Sequence, residues 1–141
     1  MKNILIIDGP NLNLLGKREV EIYGKQSFED YFKDLQSKYK NVNIDYYQSN
    51  IEGEIIQKVQ DANSEYQGII INPAGYSHTS VAIADAIKAI AIPVIEVHIS
   101  NIHAREEYRH HSITGAACKA VISGLGLESY DLAVQSYENK L

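Results

Sequence analysis

The feature that most constrains this chain is a regular alternation of short β-rich runs with longer helical segments. Five runs rich in β-branched and aromatic residues are typical of buried strands, at residues 3–7, 42–47, 68–71, 93–99 and 119–124. Four segments between and after them are predicted to be helical, at residues 28–40, 52–65, 79–91 and 127–139. The β-rich runs are spaced too widely for hairpins, so crossovers must join consecutive strands.

This alternation predicts an α/β fold. Strand, helix, strand units imply right-handed crossovers and one parallel sheet with helices on both faces. We therefore expect a flavodoxin-like three-layer sandwich whose five-stranded parallel sheet has the order 2-1-3-4-5. The chain has 141 residues, the usual length of one domain, and we expect residues 1–141 to form a single domain.

The composition argues against several classes of partner. The formal net charge is −5 at pH 7 and the sequence has no stripe of Lys and Arg, so we expect no nucleic-acid partner. The apolar region at residues 81–97 is interrupted by Asp85, Lys88 and Pro93 before it reaches the ~20 residues of a membrane span. Cys118 is the only cysteine, which rules out an internal disulfide and gives no sign of an oxidising compartment. We therefore expect a soluble, cytoplasmic protein with no membrane partner.

The candidate site is predicted to lie at one edge of the sheet. Ligands of such folds bind outside the carboxyl ends of the parallel strands. The loops that leave those ends span residues 8–24, 72–79 and 98–112, and they hold most of the unusual polar residues. These residues are Asn11, Asn13, Arg18, Tyr23, Asn72, Ser77, His78, His98, Ser100, Asn101, His103, Arg105, Arg109, His110 and His111.

Glu96 and His98 form the first candidate pair. Strand alternation puts the two side chains on one face at the end of the fourth strand, where a carboxylate can orient an imidazole. Such a pair can act as a general acid or base. The alternative, which the spacing alone leaves equally open, is a half-buried histidine whose hydrogen bonds are satisfied.

The loop at residues 9–24, GPNLNLLGKREVEIYG, holds a second candidate pair. Its glycines permit backbone conformations closed to bulkier residues, and Arg18 and Tyr23 can converge between them. A free tyrosine has a pKa of about 10 and is a poor base at neutral pH, but a neighbouring guanidinium can lower that pKa by ~1–3. In isolation, Tyr23 would instead be interpreted as a packing aromatic.

A metal site fits the histidines less well. His98, His103, His110 and His111 cluster near a glutamate, but their spacing matches neither H-E-x-x-H nor a Cys/His framework. The two arginines of the same segment would repel a cation, so we expect no metal.

Those arginines, Arg105 and Arg109, suit an anionic organic substrate, because a planar guanidinium can form paired hydrogen bonds with a carboxylate. The alternative is a solvated surface on which the segment AREEYR pairs its charges internally. For Arg105 this alternative is at least as credible as contact with a ligand.

The predicted helix at residues 79–91 is apolar around most of its circumference. One side is therefore expected to face the sheet and another side a second subunit. Asp85 would then lie at a subunit interface. Its spacing from Lys88 is equally compatible with a surface ion pair.

The chain contains three long motifs, GPNLNLLGKREVEIYG at residues 9–24, INPAGYSHTSVAIADAI at 71–87 and EVHISNIHAREEYRHHS at 96–112. Together they resemble the type II 3-dehydroquinate dehydratases, the small dehydroquinases of the shikimate pathway. Their order and separations are similar to those of the family over nearly the entire chain. Val20 stands where family members commonly have proline, a departure that removes no functional group.

The resemblance implies a hydro-lyase that eliminates water from 3-dehydroquinate to form 3-dehydroshikimate through an enolate, in chorismate and aromatic amino acid biosynthesis. By motif, Tyr23 would take the C2 proton, with Arg18 keeping its side chain ionised. Asn11 would hold a water against the developing enolate oxygen. His98, directed by Glu96, would protonate the departing C1 hydroxyl.

The resemblance also implies a set of substrate-binding residues and an assembly. The substrate-binding positions are Asn72, His78, Ile99, Ser100 and Arg109, with Asp85 contributed from a neighbouring subunit. Residues 9–24 would form a lid over the site. The expected assembly is a homododecamer built as a tetramer of trimers, and neither a metal nor an organic cofactor is expected.

Two other functions are compatible with the fold class. One is a non-enzymatic flavin or nucleotide module, because this fold hosts many ligands. The other is a metal-dependent hydrolase built from the histidines. Neither explains why Arg18 and Tyr23 share the first loop.

Overall fold

A five-stranded parallel sheet forms the centre of the fold in a computed structural model, which describes residues 1–17 and 26–139. The strands are β1 (Lys2–Asp8), β2 (Val42–Gln48), β3 (Gly68–Asn72), β4 (Val94–His98) and β5 (Ala120–Ser123). Their spatial order is β2-β1-β3-β4-β5, and every neighbouring pair is parallel. The predicted fold class and strand order are therefore confirmed.

Helices cover both faces of this sheet. In the described part of the chain, the α-helices are α1 (Phe28–Lys38), α2 (Glu52–Glu65), α3 (Val81–Ala89) and α4 (Glu128–Asn139). Two of them begin at serine caps, because Ser27 Oγ accepts a hydrogen bond from Asp30 N and Ser80 Oγ accepts one from Ile83 N. The cap at Ser80 explains why α3 begins two residues later than predicted, since the preceding residues form a 3-10 turn.

The two faces of the sheet bury separate hydrophobic cores, as the alternation of side chains along a strand requires. On β1, Ile4 and Ile6 pack in the core that includes side chains of α1 and α4. Leu5 and Ile7 pack in the opposite core, with side chains of α2 and α3. The sheet is therefore sandwiched between two helix layers.

Backbone and side-chain hydrogen bonds bring three loops together at the carboxyl edge of the sheet. Gly9 N, just after β1, donates to Asn72 O at the end of β3 over 2.8 Å. The Asn50 Oδ1 atom, just after β2, accepts from Asn11 N at 3.0 Å and from Gln48 Nε2 at 3.1 Å. The loop after β1 is thus hydrogen-bonded to the ends of both strands that flank β1, which are β2 and β3.

A buried carboxylate ties α1 to α4. Asp131 accepts hydrogen bonds from Tyr31 Oη at 2.6 Å and from Lys38 Nζ at 2.8 Å. Burial and the bond to this carboxylate raise the pKa of Tyr31 well above its ordinary value. The contact fixes the position of α4, whose Tyr130 reaches the site described below.

Within residues 1–17 and 26–139, no helix combines the length and the apolar composition needed to cross a membrane.

Gly68, the first residue of β3, provides a test of packing. A Cβ atom at this position would lie 2.3 Å from Tyr137 Cε1. The Tyr137 ring cannot move away easily, because its hydroxyl donates toward Ile69 O at 2.7 Å and Pro93 O at 2.8 Å. We expect Gly68→Ala to lower the free energy of unfolding by about 2 kcal/mol or more, as overpacked cores do. The measurement is urea unfolding followed by circular dichroism.

Gly53 in α2 provides the matched control, since a Cβ there would meet no atom within 4 Å. Gly53→Ala should leave stability unchanged or raise it by about 0.5 kcal/mol, because alanine is the better helix former. Equal stability of the two variants would contradict the proposed clash.

Candidate functional site

A cleft of about 140 Å³ opens at the carboxyl edge of the sheet. Loops that follow β1, β3 and β4 line it, as the rule for parallel sheets predicts. Eight of the residues predicted from sequence contribute to its wall: Asn11, Asn72, His78, His98, Ile99, Ser100, Arg105 and Arg109. The structure therefore brings together residues from all three predicted loops.

The Glu96–His98 pair lies at the base of this cleft. His98 Nε2 is 2.7 Å from Glu96 Oε2, and the exposed fractions of the two residues are 5% and 0%. Because the carboxylate accepts at Nε2, that nitrogen carries a proton and Nδ1 is the ring nitrogen left for a ligand. Nδ1 has no hydrogen-bond partner among the described residues.

Two hydroxyl groups that the sequence analysis did not identify also hold Glu96. Ser112 Oγ donates to Glu96 Oε2 at 2.5 Å, and Thr114 Oγ1 donates to Oε1. Gly115 N in turn donates to Ser112 Oγ at 2.8 Å. A Cβ at Gly115 would lie 3.0 Å from Glu96 Oε2, so glycine permits this close approach. Three donors on one buried carboxylate fix its orientation and that of the imidazole.

His78 stands beside His98, with 6.2 Å between the ring centroids. Its Nδ1 donates to the carbonyl oxygen of His111 at 2.7 Å, which leaves Nε2 as the acceptor nitrogen. Burial lowers the pKa of His78 below its ordinary value, and the nearby His98 and Arg109 lower it further. His78 is therefore suited to act as a neutral hydrogen-bonding group.

Arg109 carries positive charge to the cleft wall and is anchored from behind. Its Nε donates to Glu106 Oε2 at 2.7 Å, and its guanidinium lies 5.0 Å from the centroid of the Tyr108 ring. Hydrogen bonds from Tyr108 and Arg109 lower the pKa of Glu106 to about 2. Arg105 also lines the cleft, with Nε 3.9 Å from Glu106 Oε1. The remaining N–H groups of Arg109 are suited to bind an anion.

A buried network at the ends of β1 and β3 is the second feature that the sequence analysis missed. Tyr130 Oη donates to Asp8 Oδ1 at 2.7 Å, and Tyr46 Oη donates to Oδ2 at 2.9 Å. Asn72 Nδ2 donates to Tyr130 Oη at 3.0 Å. Burial raises the pKa of Asp8 to about 7, although the two tyrosine bonds oppose that increase.

Two non-glycine residues of the cleft wall adopt left-handed backbone conformations. The φ angles are 70° at Asn11 and 53° at Ala74, a region that costs L-residues about 1–2 kcal/mol. Ala74 N donates to Asn72 Oδ1 at 3.1 Å, so its conformation closes a turn around the Asn72 amide. Backbone strain of this kind is concentrated at functional sites.

Of the three remaining predicted site residues, the structure describes only Asp85. Arg18 and Tyr23 lie outside the described residues. Asp85 is exposed on α3 and does not line the cleft, and within the described part of the chain it forms no ion pair with Lys88. Residues 1–17 and 26–139 contain no group of three or more His, Cys, Asp or Glu side chains arranged to hold a metal ion.

Comparisons with known proteins show which proteins this chain is similar to. The family model for dehydroquinase class II matches residues 2–138. The 3-dehydroquinate dehydratase of Caldicellulosiruptor bescii is 53% identical over 144 residues, which cover 100% of this chain and 99% of that protein. The enzyme of the same name from Clostridium botulinum strain Hall is 51% identical over 143 residues, which cover 100% and 97%. The crystal structure of a type II dehydroquinase from Butyrivibrio crossotus superposes with a TM-score of 0.94 at 45% identity, covering 98% of each chain.

The buried Asp8 predicts a specific dependence of stability on pH. Its folded pKa of about 7 lies above its ordinary value of 3.8, so folding favours the protonated form and the stability that this form contributes is lost as pH rises through about 7. Relative to the wild type, Asp8→Asn should be more stable above neutral pH, by an amount on the order of 4 kcal/mol at full ionisation. The difference should shrink steadily toward acidic pH.

Urea unfolding of both proteins across this pH range measures that difference. Comparing the two proteins cancels the titration of every other group. A difference in stability that does not change with pH would contradict the raised pKa of Asp8.

Proposed function

Because the chain belongs to the class II dehydroquinase family, we propose that it is a hydro-lyase that eliminates water from 3-dehydroquinate to form 3-dehydroshikimate. The observation that carries this proposal is the buried Glu96–His98 pair, which presents one ring nitrogen to an anion-binding cleft. The elimination removes a proton from C2 and the hydroxyl from C1, and it passes through an enolate at the C3 carbonyl.

His98 would act as the general acid of the second step. The acid is the imidazolium form of His98, which carries a proton on each ring nitrogen. The leaving C1 hydroxyl takes the Nδ1 proton as the C1–O bond breaks and water departs, and the neutral ring keeps the Nε2 proton that is held by Glu96. Glu96 stabilises the imidazolium before this transfer, and its own bonds from Ser112 and Thr114 keep it in place. The pair thus supplies a proton donor whose position is fixed in advance.

Tyr23 would act as the base of the first step, with Arg18 beside it. An isolated phenol is almost fully protonated at neutral pH, because its pKa is about 10. A guanidinium within hydrogen-bonding reach favours the phenolate and makes C2 deprotonation practicable. In this proposal, the loop at residues 9–24 carries both side chains over the substrate and excludes water when it closes.

Asn11 would stabilise the enolate through a bound water. Charge develops on the C3 oxygen in the transition state, and a hydrogen bond placed there lowers the barrier. Asn11 is exposed at the cleft, and its left-handed conformation sets the direction of its side chain. Its position in the cleft wall supports a role at the enolate oxygen.

The other cleft residues would bind the carboxylate and hydroxyl groups of the substrate. Arg109 offers paired N–H groups to an anion, while Asn72 and His78 offer neutral hydrogen bonds. Ile99 and Ser100 continue the wall just after β4. A cationic group with neutral partners suits a substrate that carries one carboxylate and several hydroxyls.

We propose further that the active assembly is a homododecamer, a tetramer of trimers, in which Asp85 reaches a neighbouring site. The exposed position of Asp85 and the 60% exposure of nearby Val81 on α3 support a covered face in the assembly. The proposed setting is cytoplasmic chorismate biosynthesis, with 3-dehydroquinate as the only small-molecule partner and no cofactor.

A direct assay tests the activity. Mixing the protein with 3-dehydroquinate should produce the conjugated enone, whose ultraviolet absorbance rises with time. A parallel sample with EDTA should react at the same rate, because the proposed steps use only proton transfer and hydrogen bonds. Absence of enone would refute the proposal, and loss of activity in EDTA would favour the metal-dependent alternative.

Substitutions in the acid pair test the mechanism. We expect His98→Ala to reduce kcat by about a hundredfold or more, the usual range for loss of a general acid, with a smaller effect on KM. Glu96→Gln should reduce kcat by about tenfold or more, since it disturbs the orientation of the imidazole. His103→Ala is the matched control, because His103 is exposed and does not line the cleft. A His98→Ala variant as active as His103→Ala would remove the basis for this assignment.

A further inference from the structure

We propose that Asp8 is a positioning residue that acts through the Tyr130 hydroxyl to orient the Asn72 amide toward the substrate. This inference rests on the proposed function, because it assigns the substrate as the ligand of Asn72. It adds to the site a carboxylate that does not line the cleft, and it concerns binding and not proton transfer.

Sheet register brings the three groups together. Asp8 and Asn72 are paired residues at the ends of β1 and β3, and Tyr130 reaches them from α4. The exposed fractions are 0% for Asp8, 0% for Tyr130 and 3% for Asn72. Only Asn72 of the three lines the cleft. The hydroxyl therefore links a substrate-facing amide to a carboxyl group buried behind it.

The direction of each hydrogen bond follows from the chemistry of the carboxylate. An ionised carboxylate can only accept, so the single proton of the Tyr130 hydroxyl must point toward Asp8. The Tyr130 oxygen is then left to accept, and it selects the NH₂ group of Asn72 over the amide oxygen. Ala74 N donates to that amide oxygen from the other side. The positions of the amide nitrogen and the amide oxygen of Asn72 are thus both fixed.

Protonation of Asp8 removes this constraint. A carboxylic acid carries one donor as well as acceptors, and its proton can bind on the oxygen facing Tyr46 or on the oxygen facing Tyr130. In the second case, Tyr130 Oη becomes an acceptor from Asp8, and its own proton can compete for the position now held by the Asn72 donor. Only the ionised form imposes one orientation on the amide.

The surroundings of Asp8 make its ionisation sensitive to pH in the neutral range. Tyr46 of β2 and Tyr130 of α4 donate to it, and its neighbour on β3 is the uncharged Asn72. Phe28 of α1 packs on both tyrosine rings, with centroid distances of 4.6 and 4.9 Å. Asp8 forms no ion pair with any cation of the described residues. Burial consequently dominates and raises the pKa of Asp8 to about 7.

Two tyrosine variants separate the proposed link from general damage near Asp8. Tyr130→Phe and Tyr46→Phe each remove one hydroxyl that donates to Asp8, but only Tyr130 contacts Asn72. We expect Tyr130→Phe to raise KM about fivefold or more, with kcat within about twofold, which is the effect of losing one oriented hydrogen bond in binding. Tyr46→Phe should leave KM within about twofold. Equal KM values for the two variants would overturn the proposal.

Variants of Asp8 itself add a matched comparison and a pH profile. Asp8→Asn carries a donor as well as an acceptor, as the protonated acid does, so it should raise KM at alkaline pH and match the wild-type KM at acidic pH, whereas Asp8→Ala should raise KM at every pH. The ratio of the wild-type KM to the Asp8→Asn KM should increase as pH falls through the Asp8 midpoint. A constant ratio, or equal damage in Asn and Ala variants at every pH, would show that Asp8 is merely structural.

An infrared measurement tests the same link without any substrate. The C=O stretching band of protonated Asp8 should disappear as pH rises and should be missing in Asp8→Asn. Asn72→Ala should raise the pH midpoint of this band by about 0.3 pH units or more. Loss of the donor to Tyr130 weakens the next hydrogen bond of the network, from Tyr130 to Asp8. His78→Ala, which alters the cleft but not the network, should not move it.

This pair of readouts distinguishes two failures. If the wild type does not convert 3-dehydroquinate but the band still responds to Asn72→Ala, the proposed function fails while the coupling to Asn72 stands. If the enzyme is active and the band does not respond, the positioning role of Asp8 is overturned.

Discussion

The need to satisfy buried polar groups at the carboxyl ends of three parallel strands governs the rest of this structure. Asp8, Asn72 and the Glu96–His98 pair all occupy such ends and are almost completely excluded from water. A buried carboxylate without partners is strongly unfavourable, so each requires donors from the surrounding elements. Those donors are mainly hydroxyl groups, two tyrosines at Asp8 and Ser112 with Thr114 at Glu96. The same bonds that stabilise the folded chain therefore determine where the reactive groups lie.

Asp8 and Glu96 both accept hydrogen bonds from hydroxyl groups, but their other neighbours give the two carboxylates different properties. Among residues 1–17 and 26–139, Asp8 forms no ion pair, and burial raises its pKa to about 7. Glu96 has a histidine in the same network, so its negative charge can be matched by an imidazolium during a reaction. One carboxylate is thereby suited to fix hydrogen-bond directions, and the other to stabilise a transient positive charge. The two carboxylates lie at the same edge of the sheet, and among the described residues no hydrogen-bonding group contacts both of them.

Much of the fold, and part of the site, could be predicted from sequence because both depend on local periodicity. Alternating β-rich and helical segments determine the class, and the two-residue spacing of Glu96 and His98 determines their common face. The family resemblance is confirmed, and it supplied the substrate, which periodicity could not. The hydroxyl groups that donate to Asp8 and Glu96 could not be predicted, because tertiary structure alone brings them to these carboxylates. Tyr130 lies 122 residues from Asp8, and Ser112 and Thr114 lie 16 and 18 residues from Glu96. Asp8 itself resembled the ordinary polar end of an apolar strand.

The last helix, α4, links the two ends of the sheet, so a change at one end can affect the other. Tyr130 and Tyr137 are separated by two helical turns, so both project from one side of α4. Tyr130 bonds at the carboxyl end of the sheet, and Tyr137 bonds to Ile69 O and Pro93 O near the opposite end. Hydrogen bonds therefore hold α4 at both ends of the sheet. A shift of α4 along its axis would break the bonds at both ends together. A disturbance near Pro93 would in this way reach the Asn72 amide, although the two lie at opposite edges of the domain core.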